Sequence, residues 1–581
     1  MNQLKQVVGE HKVVIVLAVL TSLITAFPQV YFRIEHRNDG IYQGIELLPD
    51  SPWSARVREV QDGHPNFGNI YQKDGKDNPY LLQPLGSMVV GYMGKVFSLD
   101  INNTLLLSRF ILPFIVFLLI YGFVLLLSKD RFTALCSAAV LLLADSILEY
   151  SGLSRLFHGI SPSNFLRLAR PVNPVMIYFL LFGFLISFWL FYKKRSWRYG
   201  ILSAVLLGLN FYNYFYTWTY LYAFGGILVL SLLLQKYWRE AIRIGAIFLS
   251  GLLVAISYII NLYRVTLHPA YEEVSARNGV VLTHAPLFIG ITAIVAIIVF
   301  IFKFPKEDKE KYLFGLALLL TPFVTMNQQL LTGRVMEVGH YHWFFHKPIA
   351  VIFVLMVIFH LLAHRGLDFY KKVLATLIIT ASIATGVFVQ VTSYSYDGRD
   401  GGNIAIERQK YGPVMKWLNE HATKEAVIFA NNEASHMTVI YTPMNVFYHR
   451  AAPFASLSAT KARQLNTMFS FYRLQGVGNK EARDTFFKDR YNISAEIYGI
   501  YYRELLGSYE AIPDEKIEEF LAFYKETLST PTSVWLKQIF DKYEVEYIVW
   551  DKTADPLWQL DKYKFLEKSA EFGSLAIYRV K

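Results

Sequence analysis

A short polar stretch, Asp39 to His64 (DGIYQGIELLPDSPWSARVREVQDGH), packs carboxylates, arginines and a histidine into one loop after the first apolar segment. A carboxylate at a membrane surface can take a proton from an acceptor hydroxyl, and an arginine can hold a phosphate. We predict Asp50 as the catalytic base, with Asp39 as the second candidate. Asp50 is also placed to cap the helix-like segment that follows it, so that alternative stays open. The same loop supplies three predicted substrate-binding residues, Arg56, Glu59 and His64.

Three further loops, 150–173, 264–284 and 327–346, carry more polar residues than a connector needs. A guanidinium fork suits a phosphate or pyrophosphate better than an ammonium group does. Arg170 precedes a proline, and Asn173-Pro174 opens the next helix, so an anion donor lies beside a positive helix end. The alternative is that the arginines meet lipid head groups or pair with Glu272 and Glu337. The predicted substrate-binding residues of these loops are Arg170, Asn173, Tyr271, Glu272, Arg277, Arg334, His340 and Tyr341.

The sequence gives only weak indications of a metal. His340 and His342 flank Tyr341, but a His-x-His pair on a loop without a fixed third ligand is a poor zinc signal. Oxygen ligands from Asp50 or Asp39 suit Mg²⁺ or Mn²⁺ better. No cofactor follows with certainty from the sequence, and the ligand set of such a cation stays open.

The composition indicates a membrane protein. The chain has 581 residues, of which 54% are hydrophobic and only 18% charged, whereas soluble domains carry about 25% charged residues. The net charge of +11 is explained largely by the basic residues that collect in cytoplasmic loops, so nucleic-acid binding is not indicated. With one cysteine, Cys136, an exported domain would have to fold without an intramolecular disulfide.

Apolar segments of roughly 17–25 residues predict about eleven membrane helices. The basic residues of the short loops 129–131, 193–198, 236–243, 303–311 and 364–372 place that face in the cytoplasm, with the N-terminus inside and the C-terminus outside. The loop 33–104 is then extracytoplasmic and includes an interfacial helix at Leu81 to Phe97. The predicted helix cores are 13–31, 105–128, 132–149, 174–192, 199–214, 217–234, 244–263, 285–303, 311–326, 347–363 and 372–391.

The character of the chain changes after Tyr394. Residues 395–581 alternate amphipathic helices with short β-rich runs, which predicts a compact extracytoplasmic α/β domain. Residues 1–394 form the transmembrane domain, with the catalytic loop at 33–104. The clearest elements of the second domain are the predicted helices Tyr411 to His421 and Thr532 to Tyr543 and the predicted strands Ala426 to Ala430, Tyr547 to Trp550 and Leu575 to Val580.

This organisation resembles the GT-C superfamily of polytopic membrane glycosyltransferases. The resemblance is carried by the stretch Asp50 to His64, by Arg170-Pro-Val-Asn-Pro174, and by Asn327-Gln-Gln-Leu-Leu-Thr-Gly333 with His340-Tyr341. It implies a polyprenyl-phosphate sugar donor, an outward-facing active site and a first-loop carboxylate as base, which corresponds to Asp50. The paired acidic residues of several branches are absent at Asp50, and no WWDYG-like motif follows, which argues against an oligosaccharyltransferase.

We therefore predict a membrane glycosyltransferase of the bacterial cytoplasmic membrane, transferring a hexosyl or pentosyl group. It would move a sugar from a polyprenyl-phosphate carrier to a glycan, lipid or protein acceptor on the extracytoplasmic side. Two alternatives from other classes are a lipid or glycan transporter (flippase) and a non-catalytic membrane assembly protein. Against a transporter, charged residues do not recur deep in the predicted helices, with Asp145 and Glu149 as the main exceptions.

Overall fold

The fold is known from a computed structural model. The structure describes residues 2–39, 53–277, 281–287, 290–335, 338–395, 402–498 and 512–581. Two residues named above, the predicted base Asp50 and the predicted arginine partner Glu337, lie outside this part of the chain.

Long apolar helices dominate the first two-thirds of the chain. Within the described residues, seven helices are long and apolar enough to cross a membrane, and a bent pair would make an eighth. These helices identify the chain as an integral membrane protein. The spans are His11–Glu35, Ile101–Ser128, Val175–Lys194, Phe215–Leu234, Lys309–Thr332, Gly339–His364 and Asp368–Tyr394.

Each of the eleven predicted segments overlaps a helix, but the count of eleven spans is not confirmed. The predicted core 132–149 ends early because α5, Arg131–Leu143, gives way to a tight turn at Asp145–Leu148. The predicted core 244–263 is broken, with a bend of 58° between Trp238–Val254 and Ile256–Thr266. Hydropathy averages over a window, so it does not register a polar turn at the end of an apolar run.

The helices of this half are numbered in chain order. Of the segment 81–97, predicted as an interfacial helix, the residues Leu85–Val96 are helical. The bounds are α1 Asn2–Glu35, α2 Trp53–Asp62, α3 Leu85–Val96, α4 Ile101–Ser128, α5 Arg131–Leu143, α6 Tyr150–Phe157, α7 Val175–Lys194, α8 Trp197–Asn213, α9 Phe215–Leu234, α10 Trp238–Val254, α11 Ile256–Thr266, α12 Tyr271–Ala276, α13 Ile291–Lys303, α14 Lys309–Thr325, α15 Gln329–Thr332, α16 Val338–Tyr341, α17 Lys347–His364 and α18 Asp368–Tyr394.

The remaining chain builds an α/β unit, and a two-stranded ladder of β1 (Val281–Leu282) and β2 (Arg334–Val335) joins two loops of the membrane half. The mixed five-stranded sheet has the order β4-β3-β5-β7-β6, with β3 parallel to both β4 and β5 and the other pairs antiparallel. The five helices and strands predicted here are confirmed within two residues at each end. The strands are β3 Val427–Ala430, β4 Asn445–Val446, β5 Val545–Asp551, β6 Leu566–Phe572 and β7 Leu575–Val580, and the helices are α19 Gly402–Arg408, α20 Gly412–His421, α21 Asn432–Tyr441, α22 Ala452–Ala455, α23 Lys461–Gln475, α24 Asn479–Lys488, α25 Arg490–Tyr498, α26 Asp514–Leu528 and α27 Thr532–Lys542.

The α/β unit rests on the first long loop. The Tyr71 ring stacks on His449 with centroids 3.9 Å apart and planes 7° from parallel. The Val446 N–H donates to the Tyr71 carbonyl oxygen at 2.8 Å, so the loop contacts the β4 edge of the sheet. The first loop and the α/β unit therefore meet at the same end of the bundle, where α1 ends and α4 begins.

Close helix packing in the membrane half depends on glycine at contact points. A Cβ atom at Gly225 of α9 would lie 2.2 Å from the Phe248 ring of α10, closer than two non-bonded carbons can approach. A Cβ atom at the next residue, Gly226, would meet nothing within 4 Å. Gly225 therefore packs tightly against α10, whereas the adjacent Gly226 lies next to open space.

We expect Gly225→Ala to lower the free energy of unfolding by about 1–3 kcal/mol, because the added methyl group overpacks the α9–α10 contact. The matched variant Gly226→Ala should change it by less than about 1 kcal/mol, mostly through helix propensity. Thermal unfolding of both variants in the same detergent measures the difference. Equal midpoints for the two would show that α9 and α10 do not pack as described.

Candidate active site

A cavity of about 430 Å³ opens where four parts of the chain meet at one end of the helical bundle. These parts are the end of α5, the segment 163–170, the start of α7 and the first turns of the span Gly339–His364. Its polar and aromatic lining includes Asp145, Asn164, Arg167, Arg170, His340 and Trp343.

Four charged side chains form an ion-pair network along one wall. Lys347 Nζ lies 2.8 Å from Asp145 Oδ1 and 2.6 Å from Glu149 Oε1. Arg167 shares both carboxylates, at 3.4 Å from Asp145 and 3.8 Å from Glu149. The Lys347 side chain is 1% exposed, whereas that of Arg167 is 30% exposed and lines the cavity. The network therefore compensates a buried ammonium and presents a guanidinium to the cavity.

Burial and charge oppose each other at Glu149. Burial alone would raise the pKa of this carboxyl, but the hydrogen bond from Lys347 and the charges of Lys347 and Arg167 outweigh it and hold the pKa below its ordinary value. Glu149 is therefore an anion at neutral pH. A carboxylate held in this way is a poor proton acceptor, so the network serves to position charge.

Buried polar side chains in two membrane-length helices fix the segment 163–170. Gln390 Oε1 of α18 accepts a hydrogen bond of 2.9 Å from the Leu166 N–H. Arg109 Nε of α4 donates to the Ala169 carbonyl oxygen at 2.8 Å. Backbone groups away from water need such partners, so these contacts hold the two arginines of the segment in place.

The turn that carries the acidic pair is held by a close backbone contact. Helix α6 folds back over the turn Asp145–Leu148, and a Cβ atom at Gly152 would lie 2.0 Å from the Ser146 carbonyl oxygen. Glycine is the residue that fits there. This contact keeps Asp145 and Glu149 facing Lys347.

Aromatic side chains complete the cavity wall. The Arg167 guanidinium carbon lies 5.2 Å from the centre of the Trp343 ring and 5.9 Å from that of Phe344, within the range of cation–π attraction. His340 Nδ1 lies 2.8 Å from the Tyr214 hydroxyl oxygen, which orients the imidazole. Tyr214 belongs to the aromatic run 211–218 and supports the site through His340.

The structure brings together two of the predicted substrate-binding residues, since Arg170 and His340 both line the cavity. Asn173 is buried next to Pro174, which lines the same cavity, and among the residues that the structure describes neither of its amide atoms has a hydrogen-bond partner. Tyr341 is buried beside His340, with its hydroxyl 2.7 Å from that of Thr219, so it packs behind the wall.

The predicted first-loop residues lie elsewhere in the described structure. Arg56 is buried under the Trp53 ring at 4.4 Å, and burial lowers its pKa to about 10. Glu59 pairs with Lys76 at 2.6 Å, and burial raises the pKa of this carboxyl despite the nearby lysine. His64 reaches Glu425 of the α/β unit at 2.7 Å. His64 therefore joins the loop to the α/β unit, whereas the cited partners of Arg56 and Glu59 lie within the loop.

The predicted residues of loop 264–284 also contact the α/β unit. The Arg277 side chain is 2% exposed, and its guanidinium donates to the carbonyl oxygens of Ile497 and Ala459 and pairs with Glu273. Tyr271 packs against a small apolar cluster that includes Leu457. Arg277 thus ties the loop to the α/β unit and lies outside the described lining of the cavity beside Arg167.

The remaining predicted residues are exposed. Glu272 is exposed on α12, and Arg334 is exposed on β2, paired with Leu282 of β1. Asp39 lies just beyond α1, with its carboxylate 2.6 Å from His36 Nδ1, and is outside the described lining of the cavity.

In the part of the chain that the structure describes, no group of three or more His, Cys, Asp or Glu side chains is placed to hold a metal ion. A Mg²⁺ or Mn²⁺ ion at Asp50 or Asp39 stays a prediction, because Asp50 lies outside that part.

The sequence analysis predicts none of the four network residues as a site residue. They are Asp145, Glu149, Arg167 and Lys347. Asp145 and Glu149 were noticed only as exceptions to the apolar helices. The one signal available for Lys347 is a lysine directly before the long apolar run that begins at Pro348. A charged residue at such a position is a functional-site candidate by default, and its partner has to be sought at another helix end.

No protein-family model matches the chain, and no curated protein sequence matches it. Among solved structures, the chain is similar to the arabinofuranosyltransferase AftD from Mycobacteria, with a TM-score of 0.49 and 12% sequence identity. The match covers 98% of this chain and 40% of AftD, so the chain spans about two-fifths of that protein's length. The GT-C-like membrane fold stays a prediction from the sequence.

We expect Lys347→Met to destabilise the protein by about 3 kcal/mol at neutral pH, because it leaves two carboxylates without their buried partner. The loss should shrink in acid. The depressed pKa of Glu149 stabilises the folded state above the ordinary value of 4.5, and this contribution disappears as the pH falls through the folded pKa.

Thermal unfolding at about pH 7 and about pH 3.5 measures both effects. The control is Lys416→Met, at a lysine whose side chain is 68% exposed, which should leave both midpoints unchanged. A Lys347→Met midpoint that stays equally depressed at both pH values would contradict the assigned ion pairs.

Proposed function

We propose that this protein is a membrane glycosyltransferase that moves a sugar from a polyprenyl-phosphate carrier to an acceptor at the face where the first loop and the α/β unit meet. The observation that supports this most is the cavity that Arg167 and Arg170 line at one end of a bundle of membrane-length helices. Cations at the end of membrane-length helices suit a lipid whose phosphate lies at the membrane surface and whose tail lies among the helices.

The electrostatics favour an anionic ligand. The described lining contains two arginines and one carboxylate, Asp145, and that carboxylate already faces Lys347. Guanidinium groups match phosphate oxygens in geometry and stay charged at any physiological pH. Arg167 is held by Asp145, Glu149 and Trp343, so it would meet the phosphate with little further ordering.

An apolar surface lies beside the cavity. Helix α6 and the turn that follows it carry three large exposed side chains, Tyr150, Phe157 and Ile160, at 89%, 81% and 50% exposure. An amphipathic helix of this kind lies in the plane of a membrane interface. It gives a prenyl chain an apolar approach to the arginines.

The chemical step balances without a redox partner. The acceptor hydroxyl oxygen forms a bond to the anomeric carbon, while the bond from that carbon to the phosphate oxygen breaks. The phosphate leaves with the electron pair, where Arg167 and Arg170 stabilise its charge. The hydroxyl proton passes to a carboxylate base, for which Asp50 is the first candidate and Asp39 the second. A hexosyl and a pentosyl donor both satisfy this scheme.

We expect Arg170→Ala to lower the rate of transfer by about 100-fold, a typical loss for one electrostatic contact to a developing charge. Transfer is measured with purified protein in nanodiscs and a panel of radiolabelled polyprenyl-phosphate sugars. The matched control is Arg155→Ala, because Arg155 is exposed on α6 and lies outside the lining. Equal losses in both variants would mean that Arg170 acts through general charge alone.

The base is assigned with a second pair of variants. Asp50→Asn should reduce transfer by 100-fold or more if Asp50 accepts the proton, since general-base catalysis contributes about 10²–10⁴-fold. Asp39→Asn should then have a small effect, and the reverse result would make Asp39 the base. Full transfer in both variants would reject a first-loop carboxylate as base, and failure to consume any donor would count against the enzyme itself.

A further inference from the structure

A second cavity, of about 260 Å³, lies in the α/β unit. It opens beyond the carboxyl ends of β3 and β4, between α23 and α25. β3 lies between β4 and β5 and is parallel to both. The next strand along the chain, β4, is on one side of β3, and the strand after it, β5, is on the other side. Sheets of this kind bind ligands outside the carboxyl ends of their parallel strands.

One wall of the second cavity is aromatic. Tyr448 meets Phe471 edge to face, with ring centroids 5.4 Å apart, and Phe471 in turn packs on Phe429 at 5.0 Å. Tyr472 lines the cavity beside them. Since Phe471 is anchored to the buried Phe429, the wall is a fixed apolar surface that stays partly open to solvent.

Polar side chains with acceptors and amides line the same cavity. Glu496 lies 3.5 Å from the Tyr448 hydroxyl oxygen, and Asp489 accepts a hydrogen bond of 2.6 Å from the Asn492 amide. Gln464 and Asn432 supply two more amides. Carboxylates and amides beside an aromatic face match a ring that has hydroxyl groups on its edge and C–H groups on its face.

The charge of the second cavity differs from that of the first. Among the described residues that line it there are two carboxylates, Asp489 and Glu496, and no lysine or arginine. Burial raises the pKa of Glu496, and the charge of nearby Arg450 opposes that shift. The described lining therefore offers no cation to a phosphate, whereas the cavity beside Arg167 and Arg170 offers two. The volume is below the roughly 300–1,000 Å³ of a drug-sized pocket, so it admits a short ligand segment.

We propose that the second cavity binds one or two rings of a neutral glycan. That this glycan belongs to the acceptor rests on the proposed transferase function, but binding itself does not require transfer. The aromatic wall stacks on the sugar face, and the Glu496 and Asp489 carboxylates and the Gln464 amide hydrogen-bond to its hydroxyl groups. The α/β unit that would hold this glycan contacts the first loop. The glycan would therefore lie at the face where the cavity lined by Arg167 and Arg170 opens.

The experiment measures binding without turnover. Saturation-transfer-difference NMR on the full-length protein in nanodiscs uses four neutral probes, mannotriose, galactotriose, arabinotriose and maltotriose, with pentalysine as a basic-peptide probe. We expect at least one trisaccharide to bind, with its ring C–H protons saturated most strongly because they lie against aromatic side chains.

The double variant Gln464→Ala/Glu496→Ala should weaken that binding at least tenfold, and Glu496→Gln, which keeps an acceptor oxygen, should lose less. The control Glu515→Ala removes an exposed carboxylate at the start of α26 and should bind as the native protein does. Thermal unfolding of each variant shows that the folded state is retained.

Arg170→Ala separates the two proposals, because it should lower transfer by about 100-fold and leave trisaccharide binding unchanged. Binding that survives the double variant, binding of none of the four trisaccharides, or displacement of the sugar by pentalysine would each overturn the glycan site. In contrast, a loss of sugar transfer without a loss of trisaccharide binding would not contradict the glycan site.

Discussion

The arrangement of the cavity lined by Arg167 and Arg170 depends on ion pairs that compensate the buried ammonium group of Lys347. Lys347 begins an apolar helix with 1% of its side chain exposed, and an ammonium ion in such surroundings is stable only with anions in contact. Asp145 and Glu149 can supply them because α5 stops at Leu143 and the chain turns out of the bundle. The end of α5 at Leu143 therefore makes the ion pairs with Lys347 possible, and the same two carboxylates also pair with Arg167.

A second constraint places the α/β unit over this end of the bundle. Its contacts with the membrane half come from residues that looked like ligand-binding groups in the sequence. Arg277 satisfies two carbonyl oxygens of the unit, and His64 pairs with Glu425. The buried Tyr71–His449 stack adds an apolar contact between them. Together these contacts join the first loop, loop 264–284 and the α/β unit at one face, which is the condition for two substrates to meet there.

The sequence predicted the elements better than the site. Apolar length predicts α5, α7 and α17, but the helical residues 338–346, which carry His340 and Trp343, fall in a predicted loop. The alternating pattern predicts the strand at 575–580 to the residue. Arg170 was predicted because it precedes a helix start, and His340 because its loop is rich in polar residues. Arg277 was assigned to phosphate because an arginine on a loop looks the same whether its partner is an anion or a carbonyl 220 residues away. Lys347 was overlooked because its partners lie about 200 residues distant.

The two cavities differ in charge in the way that the proposed reaction needs. A polyprenyl-phosphate donor is anionic and has to be held where its leaving group gains charge, so arginines belong in its site and carboxylates there must be neutralised, as Lys347 neutralises Asp145. A neutral acceptor gains nothing from cations, and carboxylates hold its hydroxyl groups more strongly than amides do. With Asp489 and Glu496 in one cavity and Arg167 and Arg170 in the other, the proposed anionic donor would bind better in the cavity that the arginines line.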